Sequence, residues 1–138
     1  MSLWDHSRIR SCPSVKDNRP VNLDLGTIRL PITAIASILH RVSGVIMVVA
    51  SFLLLWALDT SLSGPEGFRA LGDLVANPLV KFVVWGIVTA LVYHSFAGVR
   101  HLIMDFGVGE SLEGGVLGAR VVFVCTAVSA VLVGVALW

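Results

Sequence analysis

The sequence contains very little charge. It has 10 Lys and Arg and 9 Asp and Glu among 138 residues, or 14% charged residues against 56% hydrophobic ones. Its mean hydropathy is +0.87, whereas a soluble domain carries about 25% charged residues. These values exclude an ordinary soluble domain and predict a small integral membrane protein. A net charge of +1 without a basic stripe also excludes a nucleic-acid partner.

Cysteine is equally scarce. Cys12 lies in a polar N-terminal segment and Cys125 lies deep in an apolar one. A disulfide between them would have to join different membrane depths, so we expect two free thiols. The chain has no CxxC pair and no clustered Cys and His spacing, which argues against a zinc or iron-sulfur site held by this chain alone.

Three long apolar segments follow the N-terminal region. They cover residues of about 32–58, 79–104 and 116–138, and each is long enough to cross a hydrocarbon layer of about 30 Å as a helix. Only helices satisfy their own backbone groups in lipid without closing into a barrel. We therefore predict an all-α membrane protein with three transmembrane helices, arranged up-down-up as part of a heteromeric helical bundle. The predicted domains are an N-terminal segment, 1–30, and an anchor domain, 31–138.

Basic residues predict the orientation. The first loop contains only Arg69, and nothing basic follows the third span, whereas the N-terminal segment contains Arg8, Arg10, Lys16, Arg19 and Arg29. The positive-inside rule places the N-terminus in the cytoplasm and the C-terminus in the periplasm. An up-down-up path brings three indoles to the outer interface: Trp56, Trp85 and Trp138. The composition of residues 1–30 is not that of a cleavable signal peptide.

The two loops differ in composition. The outer loop, residues 59–78, has Phe68, Leu71 and Leu74 at helical spacing after a Ser-Gly-Pro sequence. It is predicted to form a short helix on the outer surface. The inner loop, residues 105–115, is rich in glycine and acidic residues and is too short to be a domain.

Polar residues interrupt the first span on one helix face. They occur at i, i+3, i+4 and i+7, as Ser37, His40, Arg41 and Gly44. A guanidinium inside a membrane costs roughly 2.5 to 3.5 kcal/mol, so an intramembrane arginine marks a functional site. Ser37 and Arg41 together offer a hydroxyl and a cation to one acceptor-rich group, such as a quinone carbonyl. The alternative for Arg41 is that it snorkels to the inner interface.

The second span has a similar stripe. It consists of Gly86, Ala90, His94, Gly98, His101 and Asp105. His94 lies roughly 15 Å inside the membrane, close to the depth of His40, so the two stripes are expected to face each other or a common partner. The small residues one turn to either side of His94, Ala90 and Gly98, leave room for a flat ligand such as a haem. The alternative is that His94 only hydrogen-bonds a neighbouring helix while the glycines allow close packing. His101 and Asp105 are interpreted as an interfacial pair or as partner contacts.

Together these residues resemble a known family. Ser37-Ile38-Leu39-His40-Arg41-Val42-Ser43-Gly44, followed by His94-Ser95-Phe96-Ala97-Gly98-Val99-Arg100-His101 and Asp105, is similar to the cytochrome b large anchor subunit of bacterial succinate dehydrogenase. The resemblance runs from Arg19 to Trp138 and includes the element Arg19-Pro20-Val21-Asn22-Leu23-Asp24-Leu25. The two motifs together are far more specific than either alone.

The resemblance implies a function for this chain in respiratory complex II of the bacterial inner membrane. His94 matches one axial ligand of haem b, and the second ligand comes from a small three-helix anchor subunit. Ser37 and Arg41 match residues of the ubiquinone site, with Ile38 lining it, and His40 and Arg41 match neighbours of the haem propionates. The other partners would be an iron-sulfur subunit, a flavoprotein subunit and membrane lipid, and three such heterotetramers could form a trimer.

Several alternatives stay open. The residues by themselves permit both axial ligands, His40 and His94, to come from this chain. A fumarate reductase anchor would run the same chemistry in the opposite direction. A haem-free structural anchor and a proton- or ion-conducting subunit belong to other classes. The lack of an Asp or Glu inside the spans weakens the conducting alternative.

Overall fold

The structure, a computed structural model, describes residues 30–138. The described part contains four helices and no strand; they are α1 (Ile32–Leu62), α2 (Pro65–Ala76), α3 (Pro78–Asp105) and α4 (Leu112–Leu137). The predicted all-α class is therefore confirmed. The predictions for Cys12 and for the N-terminal segment lie outside the described residues, so the division into two domains stays a prediction.

Three of the helices are long and apolar enough to cross a membrane, with 31, 28 and 26 residues in α1, α3 and α4. They extend beyond the predicted apolar segments, since α1 continues through Asp59 to Leu62 and α4 already begins at Leu112. Polar caps explain two of the starts. The Asn77 side chain accepts a hydrogen bond from the Leu79 N–H, and the Ser111 hydroxyl accepts one from the Gly114 N–H.

The predicted short helix between the first two spans is present as α2. The chain leaves α1 through Gly64, whose φ of 132° is accessible to glycine but not to ordinary side chains. One turn later Gly67 lies directly on the Thr60 carbonyl, where a Cβ atom would collide. These two glycines let α2 fold back tightly against the end of α1, with Phe68 exposed.

Helix α3 packs against both α1 and α4, which also contact each other. Near one end of the bundle, Arg100 Nη2 donates to the Gly115 carbonyl at 3.1 Å, and Gly115 lies beside Thr33 of α1. At the other end Lys81 Nζ donates to the Leu137 carbonyl at 3.0 Å. The starts of α1 and α4 therefore share one end with the end of α3, which confirms the up-down-up path.

The bundle buries few side chains. Its buried apolar residues are mostly small, and they are Ala36, Tyr93, Ala97, Ala119 and Val122. Large apolar side chains cover the outside instead, as illustrated by Leu54, which is 70% exposed. Such a surface is stable only where lipid or further helices cover it, because contiguous exposed apolar area is rare on soluble monomers. The chain is thus a multi-pass membrane protein.

Candidate functional site

The two polar stripes meet at a stacked pair of histidines. The rings of His40 on α1 and His94 on α3 lie with centroids 4.3 Å apart and planes inclined by 26°. His101 joins them, with its ring centroid 5.1 Å from that of His40. This arrangement confirms that the stripes face each other. His101, interpreted as an interfacial residue or a partner contact, thus also lies against His40, and that interpretation stays a prediction.

Each histidine of the stacked pair faces a glycine of the opposite helix. A Cβ atom on Gly44 would lie 3.4 Å from His94 Cε1, and a Cβ atom on Gly98 would lie 3.7 Å from His40 Nε2. The helices are antiparallel, and each glycine follows its own histidine by four residues, or about 6 Å along the axis. We expected Gly98 to leave room beside His94 of the same helix. Because the helices are antiparallel, the His40 ring occupies the space at Gly98, and the His94 ring occupies the space at Gly44.

A serine that the sequence analysis did not assign holds His94. Ser43 is 4% exposed, and its hydroxyl donates to the His40 carbonyl at 2.7 Å. The same oxygen lies 2.9 Å from His94 Nδ1, which is also 3.3 Å from the His40 carbonyl. The only available signal in the sequence was position: Ser43 follows His40 by one helical turn and therefore shares its face.

The Nε2 atoms of the two stacked histidines form no hydrogen bond within the described part of the chain. His40 Nε2 is buried and has no hydrogen-bond partner there. The hydrogen bonds of His94 run through Nδ1, which leaves its Nε2 available. Histidines 40, 94 and 101 do not by themselves form a three-ligand metal site within residues 30–138. The cluster therefore offers single imidazole nitrogens rather than a closed ligand set.

The residues predicted to bind quinone lie beside this cluster, on another part of α1. Ser37 is half-buried, whereas Arg41 and Ile38 are exposed. Arg41 is one residue after His40 and therefore points about 100° away from it around the helix. The predicted polar face is thus divided: His40 and Gly44 meet α3, while Arg41 is presented outward from the chain at membrane depth.

A tyrosine next to His94 aligns the two helices. The Tyr93 hydroxyl is buried and donates to the Ala36 carbonyl of α1 at 2.8 Å. Its ring also packs against Phe123 of α4, with centroids 5.8 Å apart. Tyr93 precedes His94 and Ala36 precedes Ser37, so this bond fixes the height of the two functional segments relative to each other. Sequence reasoning missed it because a single tyrosine in an apolar segment has no distinguishing pattern.

Three polar side chains of α3, those of Lys81, Trp85 and Arg100, reach main-chain carbonyls of α4. The Trp85 indole N–H donates to the Ala130 carbonyl at 2.8 Å, and its expected position at the outer interface stays a prediction. Lys81 reaches a carbonyl near the end of α4. An apolar groove of about 400 Å³ between α3 and α4 contains Arg100 and Cys125. Within the described residues Cys125 forms no disulfide.

The stacked pair also bears on the source of the haem ligands. Two imidazoles that ligate one iron from opposite sides of a porphyrin point toward each other with the metal between them. His40 and His94 instead lie face to face. If this chain supplied both axial ligands to one haem, the two rings would have to leave this stack.

These features define the class: a helical, multi-pass membrane subunit in which part of the polar site is left for other components to cover. Comparison with known proteins identifies the family. The model of the succinate dehydrogenase/fumarate reductase transmembrane subunit matches residues 15–136, and the chain belongs to this family.

Similar proteins from bacteria and mitochondria carry consistent names. The chain is 40% identical over 121 residues to the succinate dehydrogenase cytochrome b556 subunit of Coxiella burnetii, covering 87% of this chain and 97% of the relative. It is 36% identical over 98 residues to the cytochrome b556 subunit of Paracoccus denitrificans, covering 71% and 75%. It is 30% identical over 119 residues to the mitochondrial cytochrome b560 subunit of Sus scrofa, covering 83% and 69%. The expected succinate dehydrogenase membrane subunit is thereby confirmed.

Proposed function

We propose that this chain binds haem b and ubiquinone in a succinate dehydrogenase of the bacterial inner membrane, and that His94 is its axial ligand to the haem iron. The observation that carries the proposal is the placement of His94. Its ring is held through Nδ1 and lies in the space left by Gly44, so Nε2 is the nitrogen available to a metal. Neutral imidazole is an ordinary axial ligand of haem iron.

The chemistry around His94 fits such a group. His40 Nε2 is buried without a partner among the described residues, and leaving a buried donor unpaired costs about 1 to 3 kcal/mol. A haem propionate is an acceptor that would relieve this cost, and the neighbouring Arg41 would add a charge-assisted bond. His40 and Arg41 are therefore proposed as propionate contacts. Haem b, when bound, supplies a one-electron carrier; the chain supplies its position and electrostatic surroundings.

Ser37 and Arg41 are proposed as the quinone-binding pair, with Ile38 lining the site. The two polar residues are one turn apart on α1, and their exposure leaves them accessible to a molecule outside this chain. The Ser37 hydroxyl can donate to a quinone carbonyl, while the Arg41 guanidinium opposes the negative charge that grows on that oxygen during reduction. A fixed cation at this position is most effective where water is excluded.

The exposed polar and apolar surface supports the proposed partners. An Arg41 facing lipid would be costly, so a small three-helix anchor subunit is proposed to cover this side and to supply the second haem ligand. The iron-sulfur and flavoprotein subunits would dock at the cytoplasmic end, where α1 begins. The N-terminus is accordingly proposed to lie in the cytoplasm and the C-terminus in the periplasm, which agrees with the distribution of basic residues. Trimers of the heterotetramer are compatible with the large apolar surface.

The test of the ligand role is His94→Leu in the complete membrane complex. We expect the six-coordinate haem b spectrum to be lost or replaced by a high-spin one, because leucine cannot ligate iron. His101→Leu is the matched control, since it removes a second imidazole of the same cluster. An unchanged low-spin spectrum in His94→Leu would refute the assignment.

A haem-free structural anchor is the competing function, and one observation favours it. His40 and His94 already stack on each other, so they could serve only to pack two helices. A single measurement distinguishes the two functions. The purified wild-type complex shows a Soret band if the chain binds haem, and no such band if the histidines only pack.

A further inference from the structure

We propose that Ser43 is a positioning residue that holds His94 in the Nδ1–H tautomer and thereby presents the Nε2 lone pair to the haem iron. The inference rests on the proposed ligand role of His94. It is carried by three atoms: Ser43 Oγ, the His40 carbonyl oxygen and His94 Nδ1, which lie within 3.3 Å of each other.

The protons of this triangle can be assigned from its donors and acceptors. The carbonyl oxygen of His40 only accepts, and it lies 2.7 Å from Ser43 Oγ, so the single hydroxyl proton of Ser43 is used there. Ser43 Oγ is then an acceptor toward His94 Nδ1 at 2.9 Å. The 3.3 Å approach of Nδ1 to the same carbonyl also requires a proton on Nδ1, because two lone pairs would repel. Both contacts select the Nδ1–H tautomer.

The alternative assignment leaves the triangle unsatisfied. If His94 carried its proton on Nε2, Nδ1 would need the hydroxyl proton of Ser43 and the His40 carbonyl would face two lone pairs. Ser43 is 4% exposed, so water cannot replace the missing donor at this place, and unpaired groups are costly at membrane depth. The Nε2–H form is also the one that cannot ligate iron through Nε2.

Ser43 differs in this respect from other serines of the same helices. Ser51 on α1 and Ser95 on α3 are exposed and bond only to the carbonyl four residues earlier, at 2.8 and 2.9 Å. Such bonds are the usual local arrangement of helical serine. Ser43 alone among these three adds a contact to the facing helix, which makes Ser51 a suitable control.

A hydrogen bond from Nδ1–H to oxygen affects a ligating imidazole in two ways. It fixes the ring orientation, and it raises the basicity of the ligand. A more basic ligand favours ferric over ferrous iron, so loss of the bond should shift the haem midpoint potential to a more positive value. Removing this type of outer contact typically lowers metal affinity by about 10- to 100-fold.

The decisive pair of variants is Ser43→Thr and Ser43→Val in the complete membrane complex. The two side chains have nearly the same shape, and only threonine keeps the hydroxyl. Haem content is measured as pyridine haemochrome per flavin, and the midpoint potential by optical redox titration. We expect Ser43→Val to bind haem about 10-fold more weakly, so its haem content per flavin should fall. Its remaining haem should titrate at a more positive potential. Ser43→Thr and the control Ser51→Ala should match the wild type.

The outcomes separate this inference from the ligand role itself. Equal haem content and equal potential in Ser43→Val and Ser43→Thr would overturn the role of Ser43. If the added methyl group prevents assembly in both, Ser43→Ala adds no atom and is judged by the same two measurements against the wild type. A low-spin haem retained in His94→Leu overturns the ligand role. Loss of haem in His94→Leu together with a wild-type Ser43→Val overturns only the inference about Ser43.

Discussion

Helix α3 meets its two neighbours in different ways. Toward α4 its long polar side chains end on main-chain carbonyls, with Lys81 on Leu137, Trp85 on Ala130 and Arg100 on Gly115. Toward α1 it presents His94, whose ring stacks on His40 and is held by Ser43. We refer to these as the α3–α4 contact and the α1–α3 contact.

The difference lies in how much of the polar chemistry is completed within the chain. In lipid an unpaired polar group has no water to bond, and the α3–α4 contact satisfies most of its donors internally. Arg100 Nε is an exception, being buried without a partner among the described residues, and so is Thr89 Oγ1 on the same helix. In the α1–α3 contact His40 Nε2 has no partner among the described residues, and the neighbouring Arg41 is exposed on the outside of α1. The first contact is completed largely within the chain, whereas the second presents groups for which we propose haem and quinone as partners.

The largest expected effect comes from Arg41→Ala. Removing one charge-stabilising donor typically lowers a rate by about 100-fold or more, so quinone reduction should fall by that order. Succinate oxidation with a soluble dye should stay nearly unchanged, because the dye takes electrons before the membrane site. The control is Arg120→Ala, which removes another exposed arginine from α4. Equal loss in the dye and quinone assays would contradict the proposal that Arg41 acts in quinone reduction.

A smaller effect is expected from filling the space at Gly44. Alanine there makes an ordinary contact with His94 at 3.4 Å, so Gly44→Ala should be tolerated. Gly44→Leu must displace the ring, and such overpacking costs about 1 to 3 kcal/mol. Haem content per flavin should fall roughly 10-fold or more, since about 1.4 kcal/mol corresponds to a factor of ten.

Gly86→Leu is the matched control for Gly44→Leu, because nothing in the described chain lies within 4 Å of a Cβ atom at Gly86. It introduces the same side chain on α3 without touching the histidines. If Gly86→Leu lowers haem content as much as Gly44→Leu, the loss reflects general disturbance of the bundle rather than displacement of His94.

The smallest effect is expected from two matched deletions, Tyr93→Phe and Trp85→Phe. Each removes one hydrogen bond between helices, and such bonds contribute about 0.6 kcal/mol on average in membranes. Tyr93→Phe should therefore lower the thermal stability of the complex slightly, and Trp85→Phe should lower it more, because it also replaces the indole that packs beside Phe82 by a smaller ring. Only Tyr93→Phe should broaden the haem spectrum, because Tyr93 aligns His94 with α1. A similar broadening in Trp85→Phe would remove the functional distinction between the two contacts.

The sequence predicted the long helices well because their apolar segments leave few alternatives in a membrane. It also predicted that His40 and His94 lie at a common depth, since depth follows from counting residues along a helix. The stacked rings are consistent with that count. The start of α4 at Leu112 was less predictable, because the cap at Ser111 continues the helix beyond the apolar segment.

The sequence pattern could not predict the contacts between helices. The stripe on α1 was treated as one face, yet the structure separates Arg41 from His40 because successive residues differ by about 100°. The partner of each glycine depends on which way the neighbouring helix runs and at what height it crosses. Ser43 was missed for the same reason, since its second contact belongs to α3 and is invisible from α1 alone.

The reciprocal packing of two histidines on two glycines also constrains how this sequence can change over time. Positions 44 and 94 share one space, and positions 40 and 98 share another. A residue larger than alanine at 44 therefore becomes acceptable only after 94 has become smaller, and the same holds for 98 and 40. Across related sequences the substitutions should thus be correlated in crossed pairs, 44 with 94 and 98 with 40, rather than along either helix.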